Sequence, residues 1–530
     1  MNSTQVLVVG AGPAGLVLAC ELARRGIAHR LVERDATDFG GARGKGLQPR
    51  TQEVFEDLGV LERVRALGGL YPPMRAHRGD QVVWEGRMDE LREPTPDVPW
   101  PNAWMLPQWR TGAILRERLA ELGGSVERGT ELLGLAQDAE GVVAVVRSGG
   151  QEEQLRADYV VGADGGRSTV RKLVGIGFAG ETREQQRMVV ADVRAEGLDH
   201  DHWHVFPVGA AEGNPYRLAL CPLAGTDTFQ LTMPLAPEEP AAEPTLSELQ
   251  QQLDKATGTG TVRLTELVWS SLWRANMRMA EHFSVGRVFL AGDAAHVHSP
   301  AGGQGLNTGV QDAYNLGWKL AAVLEGTPAG LLDSYEAERL PVAADVLGIS
   351  TRLHDKAAAG DADAHRRDDP ELQQLNLGYR EGPLSQEPGG AVPGAALRAG
   401  DRVPDAPGRA EDGSPVRLHQ LIGGARTTLL AFGPDAAGLA AAILRESPYA
   451  SGLRGVEIRK DGTGGDAGTS GLTAFLDAEG HAEQVFGSIS GLLVVRPDGY
   501  LGLSVAEPDE AVVLDYLGRI CAPAAAQPQG

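Results

Sequence analysis

Residues 5–35 read QVLVVGAGPAGLVLACELARRGIAHRLVERD. Val6 to Val9 form an unbroken apolar run, the pattern of a strand buried on both faces. Gly10, Gly12 and Gly15 follow at once in G-x-G-x-x-G spacing, with Pro13 and Ala14 between them. Leu16 to Arg25 carry apolar residues at helical intervals, Gly26 ends the helix, and a second strand over His29–Val32 finishes at Glu33. Gly10 permits the tight turn, Gly12 lets backbone approach a pyrophosphate, and Gly15 allows the helix to close on the strand. The helix start offers unpaired N–H groups and a positive dipole end to the phosphates. Glu33 is placed to accept hydrogen bonds from both ribose hydroxyls of an adenosine, and Arg34 beside it joins the candidate cofactor contacts. Strand, glycines, helix, strand and terminal acid together define a dinucleotide site. NAD and FAD sites both place a carboxylate here, so this segment leaves the dinucleotide open.

The remaining composition narrows the class. At 530 residues the chain exceeds one core and implies two or three domains. A net charge of −22, from 49 basic and 71 acidic side chains, argues against nucleic acid as a partner. Cys20, Cys221 and Cys521 stand far apart, with no Cys-x-x-Cys or Cys/His spacing. They read as reduced structural thiols of a cytoplasmic protein, with no metal site. The apolar stretch from Val6 to Gly15 reads as strand and turn, not as a signal peptide. No run of about 18 apolar residues suggests a membrane span.

Two further segments repeat the strand-then-turn theme. Residues 156–176 read RADYVVGADGGRSTVRKLVGI, with a strand over Tyr159–Val161, a turn at Asp164-Gly165-Gly166 and a helix from Ser168 to Leu173. Residues 286–324 read GRVFLAGDAAHVHSPAGGQGLNTGVQDAYNLGWKLAAVL. Here Val288–Leu290 form the strand, Gly292-Asp293 end it, and a helix from about Gly305 carries Val310, Ala313, Leu316 and Leu320 on one side. Gly302, Gly303 and Gly305 allow backbone to lie against a flat ring. A helix start at that point aims N–H groups at whatever charge the ring accumulates.

In this order and spacing the three segments resemble the FAD-dependent aromatic hydroxylases of the para-hydroxybenzoate hydroxylase fold, the group A flavoprotein monooxygenases. The chain looks most similar to the bacterial aromatic polyketide hydroxylases. The resemblance implies that Asp293 binds the ribityl hydroxyls of FAD, and that Asp164 lies beside the pyrophosphate and the nicotinamide nucleotide. Arg43, in GARGKGLQPRTQE (41–53), resembles the arginine near the flavin pyrophosphate. Gln108, in LPQWRTGAILRERL (106–119), resembles a glutamine contacting the ribityl–pyrophosphate chain. Pro300 and the backbone of Gly303, Gly305, Leu306 and Asn307 resemble the loop beside the isoalloxazine ring. Read one at a time, Asp164 and Asp293 equally suit turn or helix caps. Arg43 equally suits a solvated surface and Gln108 a helix start. His296 and His298 read as packing or hydrogen-bonding residues around the flavin.

The implied fold is α/β: a Rossmann-like FAD domain, an inserted, mostly antiparallel substrate sheet and a C-terminal thioredoxin-like domain. The FAD domain is expected over 1–70, 101–176 and 281–380, and the substrate domain over 71–100 and 177–280. HWHVF, YRLALCPL and DTFQLTMPL supply strand-like stretches of that sheet. Trp84, Trp100 and Trp104 suit either core packing or stacking on an aromatic ligand. A Gly/Pro-rich linker is expected over 381–408, the last domain over 409–520 and a frayed tail over 521–530. In the last domain, strands are expected at TTLLAFG and GLLVVRPDGYLGLSV, the latter turning at Pro497-Asp498-Gly499.

The resemblance implies that NADPH or NADH reduces FAD, O2 adds to the reduced ring, and a flavin hydroperoxide hydroxylates an aromatic polyketide or related phenol. No amino-acid nucleophile or metal is needed, because the cofactor carries the difficult chemistry. Baeyer–Villiger oxygenation of a polyketide ketone uses the same flavin chemistry. A disulfide reductase needs paired cysteines beside the flavin, and a non-enzymatic nucleotide-binding protein needs no such glycine loop. The expected state is a monomer or homodimer.

Overall fold

The computed structural model describes residues 2–79, 81–206, 217–235, 243–258, 260–359, 361, 365–460 and 471–524. Its first sheet has a parallel core in the order Val288–Leu290, Gln151–Gly162, Asn2–Val9, His29–Glu33, Val126–Arg128. Val6 pairs with Tyr159 on one side and His29 on the other, and Val160 pairs with Val288. Val6, Leu7, Val8, Leu31, Val160, Val161 and Leu290 are fully buried, as strands covered on both faces require. All three motifs therefore end at the same edge of one sheet. The first helix runs Pro13–Ala23, three residues earlier than its apolar periodicity begins, because Pro13 presets the helical φ where no N–H partner is needed.

The second sheet takes the strands His296–Val297, Arg263–Ala280, Phe178–Glu196, Phe229–Leu235, Leu218–Pro222, Trp203–Phe206, Met74–Arg78 and Gln81–Gly86, in that order. It is antiparallel except where Trp203–Phe206 runs parallel to Met74–Arg78. Alternation along Phe178–Glu196 sends Val189, Ala191 and Val193 into a core with Phe229, Leu231 and the helix Leu246–Thr257. The opposite face looks toward the first domain, where the Gln230 amide donates to the Ala42 carbonyl. The short strand His296–Val297 pairs with Arg278 and Met279, fastening the third motif to this sheet. Trp100 and Trp104 both stack on the Arg65 guanidinium, at 4.2 and 4.3 Å, and donate to Glu56 and Val64. Trp84 is exposed, with its ring edge-on to His365.

The last sheet centres on Thr427–Phe432, flanked by parallel Leu453–Arg459 and antiparallel Gly491–Val495, which hairpins into Leu501–Val505 with Gly499 at φ +78°. Residues 381–408, expected as a linker, make contacts with the last hairpin. Gly400 N donates to Leu501 O at 2.6 Å, Val403 N to Gly499 O at 3.0 Å, and Gln386 N to Gly502 O at 2.9 Å. Glycine and proline serve here to lay irregular backbone along a sheet. The helix Asp333–Ala358 contains Pro341. The expected frayed tail is docked at its start: Cys521 is buried with Sγ 3.5 Å from Thr427 Oγ1, while residues 525–530 lie outside the described part. Among the described residues, no helix is long and apolar enough to cross a membrane, and no cluster of His, Cys, Asp and Glu suits a metal ion.

Candidate functional site

The glycine turn behaves as its spacing requires. Gly10 has φ +102°, and a Cβ there would sit 2.5 Å from Ala163 O and 2.8 Å from Asp164 Cα. The Asp-Gly segment therefore lies directly against the first glycine. A Cβ on Gly15 would come 1.9 Å from Gly10 O, so the helix closes on the turn only because that side chain is absent. Gly12, in contrast, has open space where its Cβ would be, the side from which a ligand can reach the backbone. Gly292 completes the junction: its Cβ would meet Ala14 Cβ at 3.2 Å, with the Cα of Gly309 3.5 Å away.

The acids fall into two groups. Glu33 accepts from Ala11 N at 2.9 Å and Asp35 N at 3.0 Å, which aims its carboxylate along the rim of the glycine turn. Arg34 is exposed and pairs with Asp35 at 3.7 Å. Asp164 caps its own short helix: its carboxylate accepts from Ser168 Oγ at 2.5 Å, Thr169 N at 2.6 Å and Val170 N at 3.2 Å. Its capping role and its position beside Gly10 coexist, because backbone, not carboxylate, faces the turn. Asp293 differs from both. It is solvent-accessible, yet it lies so deep that burial pushes its carboxyl up, opposed by His296 and Arg43. A deep carboxylate reached by solvent is what a cleft shaped for a polar ligand leaves behind.

The flavin-loop candidates are held by a clamp. Asn307 Oδ1 accepts from Gln48 N at 2.8 Å, and its Nδ2 donates to Gly46 O at 2.9 Å and Gly303 O at 2.8 Å. The helix Gly305–Leu324 begins at this clamp with no side-chain cap, so its first N–H groups point outward. Gly302 and Gly303 have φ +84° and +64°, and Pro300 and Gly303 are exposed. Gln108 Oε1 accepts from Gly44 N at 3.0 Å, and Leu306 would lie 3.2 Å from a Cβ on Gly44. Arg43 spans Phe39 and Trp269 and reaches Ser271 at 3.3 Å.

Beneath the loop runs a relay that no single motif announced. Asp312 accepts from Arg339 Nε at 2.8 Å, Gly292 N at 3.0 Å and His296 Nε2 at 2.6 Å. The other ring nitrogen of His296, Nδ1, lies 2.9 Å from His298 Nε2. Burial would raise the Asp312 carboxyl, but His296 and Arg339 hold it down to about 2. Burial, with His296, pushes His298 down to about 3, so it is neutral. The relay fixes Gly292, and hence Asp293, against the loop. Asp312, one turn along the helix from Thr308, carried no sequence signal beyond its neighbours. All three cysteines are buried, and burial pushes Cys20 up to about 12 and Cys521 to about 11, which leaves them as unreactive thiols.

A parallel nucleotide fold whose glycine turn, Asp-Gly segment and Gly-Asp segment pack together at the ends of adjacent strands, beside an antiparallel sheet, has the architecture of a flavin-type dinucleotide-binding protein. Residues 3–350 match the family model described as FAD binding domain, and the chain belongs to that family. The chain is 44% identical over 522 residues to a flavin-dependent monooxygenase of Mycobacteroides abscessus, covering 97% of this chain and 99% of the relative. It is 34% identical over 525 residues to the 12-dehydrotetracycline 5-monooxygenase/anhydrotetracycline 6-monooxygenase of Streptomyces rimosus, covering 94% of each. The crystal structure of aklavinone-11 hydroxylase with FAD and aklavinone superposes with a TM-score of 0.79 at 28% identity, over 98% of this chain and 99% of that one.

Proposed function

We propose that this protein is an FAD-dependent monooxygenase that hydroxylates an aromatic polyketide or a related phenol, using NADPH or NADH and O2. The packing of the three motifs against one another at the ends of adjacent parallel strands, with the third fastened to the second sheet, carries the reading. Relatives matching almost end to end, named as flavin-dependent and tetracycline monooxygenases, support it. FAD, when bound, supplies the activation of oxygen.

The residues present fit that cofactor. Open space at Gly12 and the helix start at Pro13 suit the pyrophosphate. Glu33 would take the adenosine ribose, Asp293 the ribityl hydroxyls, and Arg43 the phosphate charge. Gln108 would act by shaping the Gly44 loop, and Asp164 by setting backbone beside Gly10. The uncapped start of Gly305–Leu324, clamped by Asn307, would stabilise negative charge at the ring. The second sheet would exclude water and orient the substrate. The C-terminal sheet, seven-stranded among the described residues, with its βαβ unit over residues 427–459 and its antiparallel hairpin, is read as thioredoxin-like without a dithiol. Buried thiols suit a reducing, cytoplasmic setting.

The test is an absorbance spectrum of the purified protein, then NADPH oxidation in air with a panel of aromatic polyketides. A flavin spectrum, substrate-stimulated oxidation and a product one oxygen heavier are expected. Protein that neither carries nor takes up FAD overturns the reading. Glu33→Ala is expected to weaken FAD binding about tenfold, the worth of one charge-assisted hydrogen bond. Unchanged affinity by fluorescence titration would assign Glu33 to the turn alone.

A further inference from the structure

The loop from Ser299 to Gly305 is gripped from behind by two residues that lie well beyond it in the chain, His354 and Gln374. At its start Ser299 Oγ lies 2.9 Å from His354 Nδ1, and both residues are buried. At its end Gln304, 1% exposed, donates its amide Nε2 to the carbonyls of Gly302 at 2.8 Å and Leu372 at 3.1 Å. Two more buried glutamines continue the line. Gln374 Nε2 donates to Gln304 Oε1 at 2.6 Å and to Thr308 Oγ1 at 3.3 Å, and Gln311 Nε2 donates to Gln374 Oε1 at 2.6 Å. The direction of this amide chain is fixed by its end. A carbonyl only accepts, so Gln304 must turn its nitrogen to Gly302, and each amide behind it must follow.

Gln374 sits in the left-handed region at φ +61°, the only residue other than glycine to do so among those described. Residues with side chains avoid that backbone, and it persists where the surroundings over-determine it, with a concentration at functional sites. Glycine or asparagine would sit there with less strain, but neither side chain is long enough to span from Gln311 to Gln304. The turn that carries Gln374 is itself anchored. It closes the short helix Pro370–Gln373, and a Cβ on Gly302 would meet Leu372 Cδ2 at 3.3 Å. Arg402 Nε donates to Leu375 O at 3.0 Å, and the same guanidinium pairs with Glu53 at 2.9 Å. Gln374 is therefore a fixed point from which the loop is held.

We propose that Gln374 is a positioning residue for the flavin loop: its amide, acting through Gln304, sets the Gly302 carbonyl and the seat that residues 300–305 offer a ring. This assignment rests on the monooxygenase reading, under which the seat decides whether oxygen reaches the substrate. Coupled turnover takes NADPH, H+, O2 and substrate to NADP+, water and substrate carrying one added oxygen atom. A loosened seat admits water, and the same NADPH, H+ and O2 then leave as NADP+ and hydrogen peroxide.

The decisive variant is Gln374→Asn, because asparagine tolerates the left-handed backbone and keeps an amide but stops short of Gln304. Hydrogen exchange of residues 299–308, followed by mass spectrometry with and without FAD, is expected to quicken about tenfold, the worth of one hydrogen bond. Peroxide released per NADPH oxidised, at saturating substrate, should rise severalfold, while the melting temperature and the KM for NADPH stay near wild type. Gln374→Gly, which also relieves the backbone and removes the side chain, should behave alike. Tyr516→Phe gives up a buried hydrogen bond to Leu384 O in the last domain and should move neither readout, which separates positioning from a loss of stability. Wild-type exchange and coupling in Gln374→Asn overturn the proposal, and the monooxygenase reading stands if substrate still stimulates NADPH oxidation. Faster exchange with unchanged coupling overturns it too, because the amide chain would then serve the fold alone. A wild type that takes up no FAD brings down the monooxygenase reading and the coupling claim with it, while exchange in the FAD-free protein still reports whether Gln374 holds the loop.

Discussion

Asp293→Ala is expected to purify colourless, with FAD affinity lowered by about 10²-fold. The carboxylate is acceptor-only, and two ribityl hydroxyls donating to it are worth about 1.5–3 kcal/mol each. The loss is specific because the backbone around it is held by other groups. Gly292 N is bonded to Asp312 at 3.0 Å, and Ala295 N to Gly292 O at 2.8 Å. A methyl group in place of the carboxylate also lifts the charge that burial disfavours there, so the apo fold should melt no earlier than wild type. Flavin absorbance per protein and a fluorescence titration with FAD measure the effect. Asp293→Asn, which keeps one acceptor, should fall between. An alanine variant that retains full flavin would remove Asp293 from the site.

Glu338→Ala is expected to cost about 3–5 kcal/mol of stability, the range for removing one partner of a buried ion pair. Glu338 accepts from Lys319 Nζ at 2.7 Å, Asn315 Nδ2 at 2.8 Å, and Arg496 at 2.6 and 2.9 Å, all without solvent exposure. Asp498 takes the remaining Arg496 donors and the Trp318 indole N–H at 3.0 Å. Lys319 and Trp318 belong to the helix that starts at the flavin loop, whereas Arg496 and Asp498 belong to the last domain's hairpin. Without Glu338, a buried lysine and arginine share one acid across that junction. Urea unfolding of wild type should proceed with both parts melting together, and the variant should release the C-terminal domain first. Burial would raise Glu338, but Arg496 and Lys319 hold it down to about 2. A depressed carboxyl contributes stability that is full above its unfolded value near 4.5 and is lost as pH falls toward 2. The wild-type advantage over Glu338→Ala should therefore shrink across that acid window. By comparison, Arg519→Ala, which breaks the exposed pair with Asp515, should change stability by less than about 0.5 kcal/mol. Equal effects from the two variants would deny the cluster its role in joining the domains.

The legible part of the site is the part built by backbone. Gly10, Gly12 and Gly15 are informative because each glycine answers a separate steric demand at a fixed distance along the chain, and the clash distances at Gly10 and Gly15 bear this out. Gly302 and Gly303, with their left-handed backbone, are readable for the same reason. The contact between Lys45 and Gln230 is not, because it forms only when a strand at 230 is stacked on a loop at 45. Composition marks residues 381–408 as a linker but does not show that Gln386, Gly400 and Val403 within it bond to the last hairpin.

The sequence by itself determined the parallel nucleotide sheet, the flavin loop and the antiparallel second sheet, because hydrophobic period, glycine placement and turn residues act within a few residues of one another. Tertiary structure alone decided which donors surround each acid. Glu33 accepts from the Ala11 and Asp35 amides, Asp293 stays open to solvent, Asp164 turns its carboxylate to its own helix, and Asp312 anchors a histidine relay. Tertiary structure also joined the C-terminal domain to the flavin helix through Glu338 and Arg496. A carboxylate's role depends on the donors around it and the water it has lost, and both are set by chain segments up to several hundred residues away.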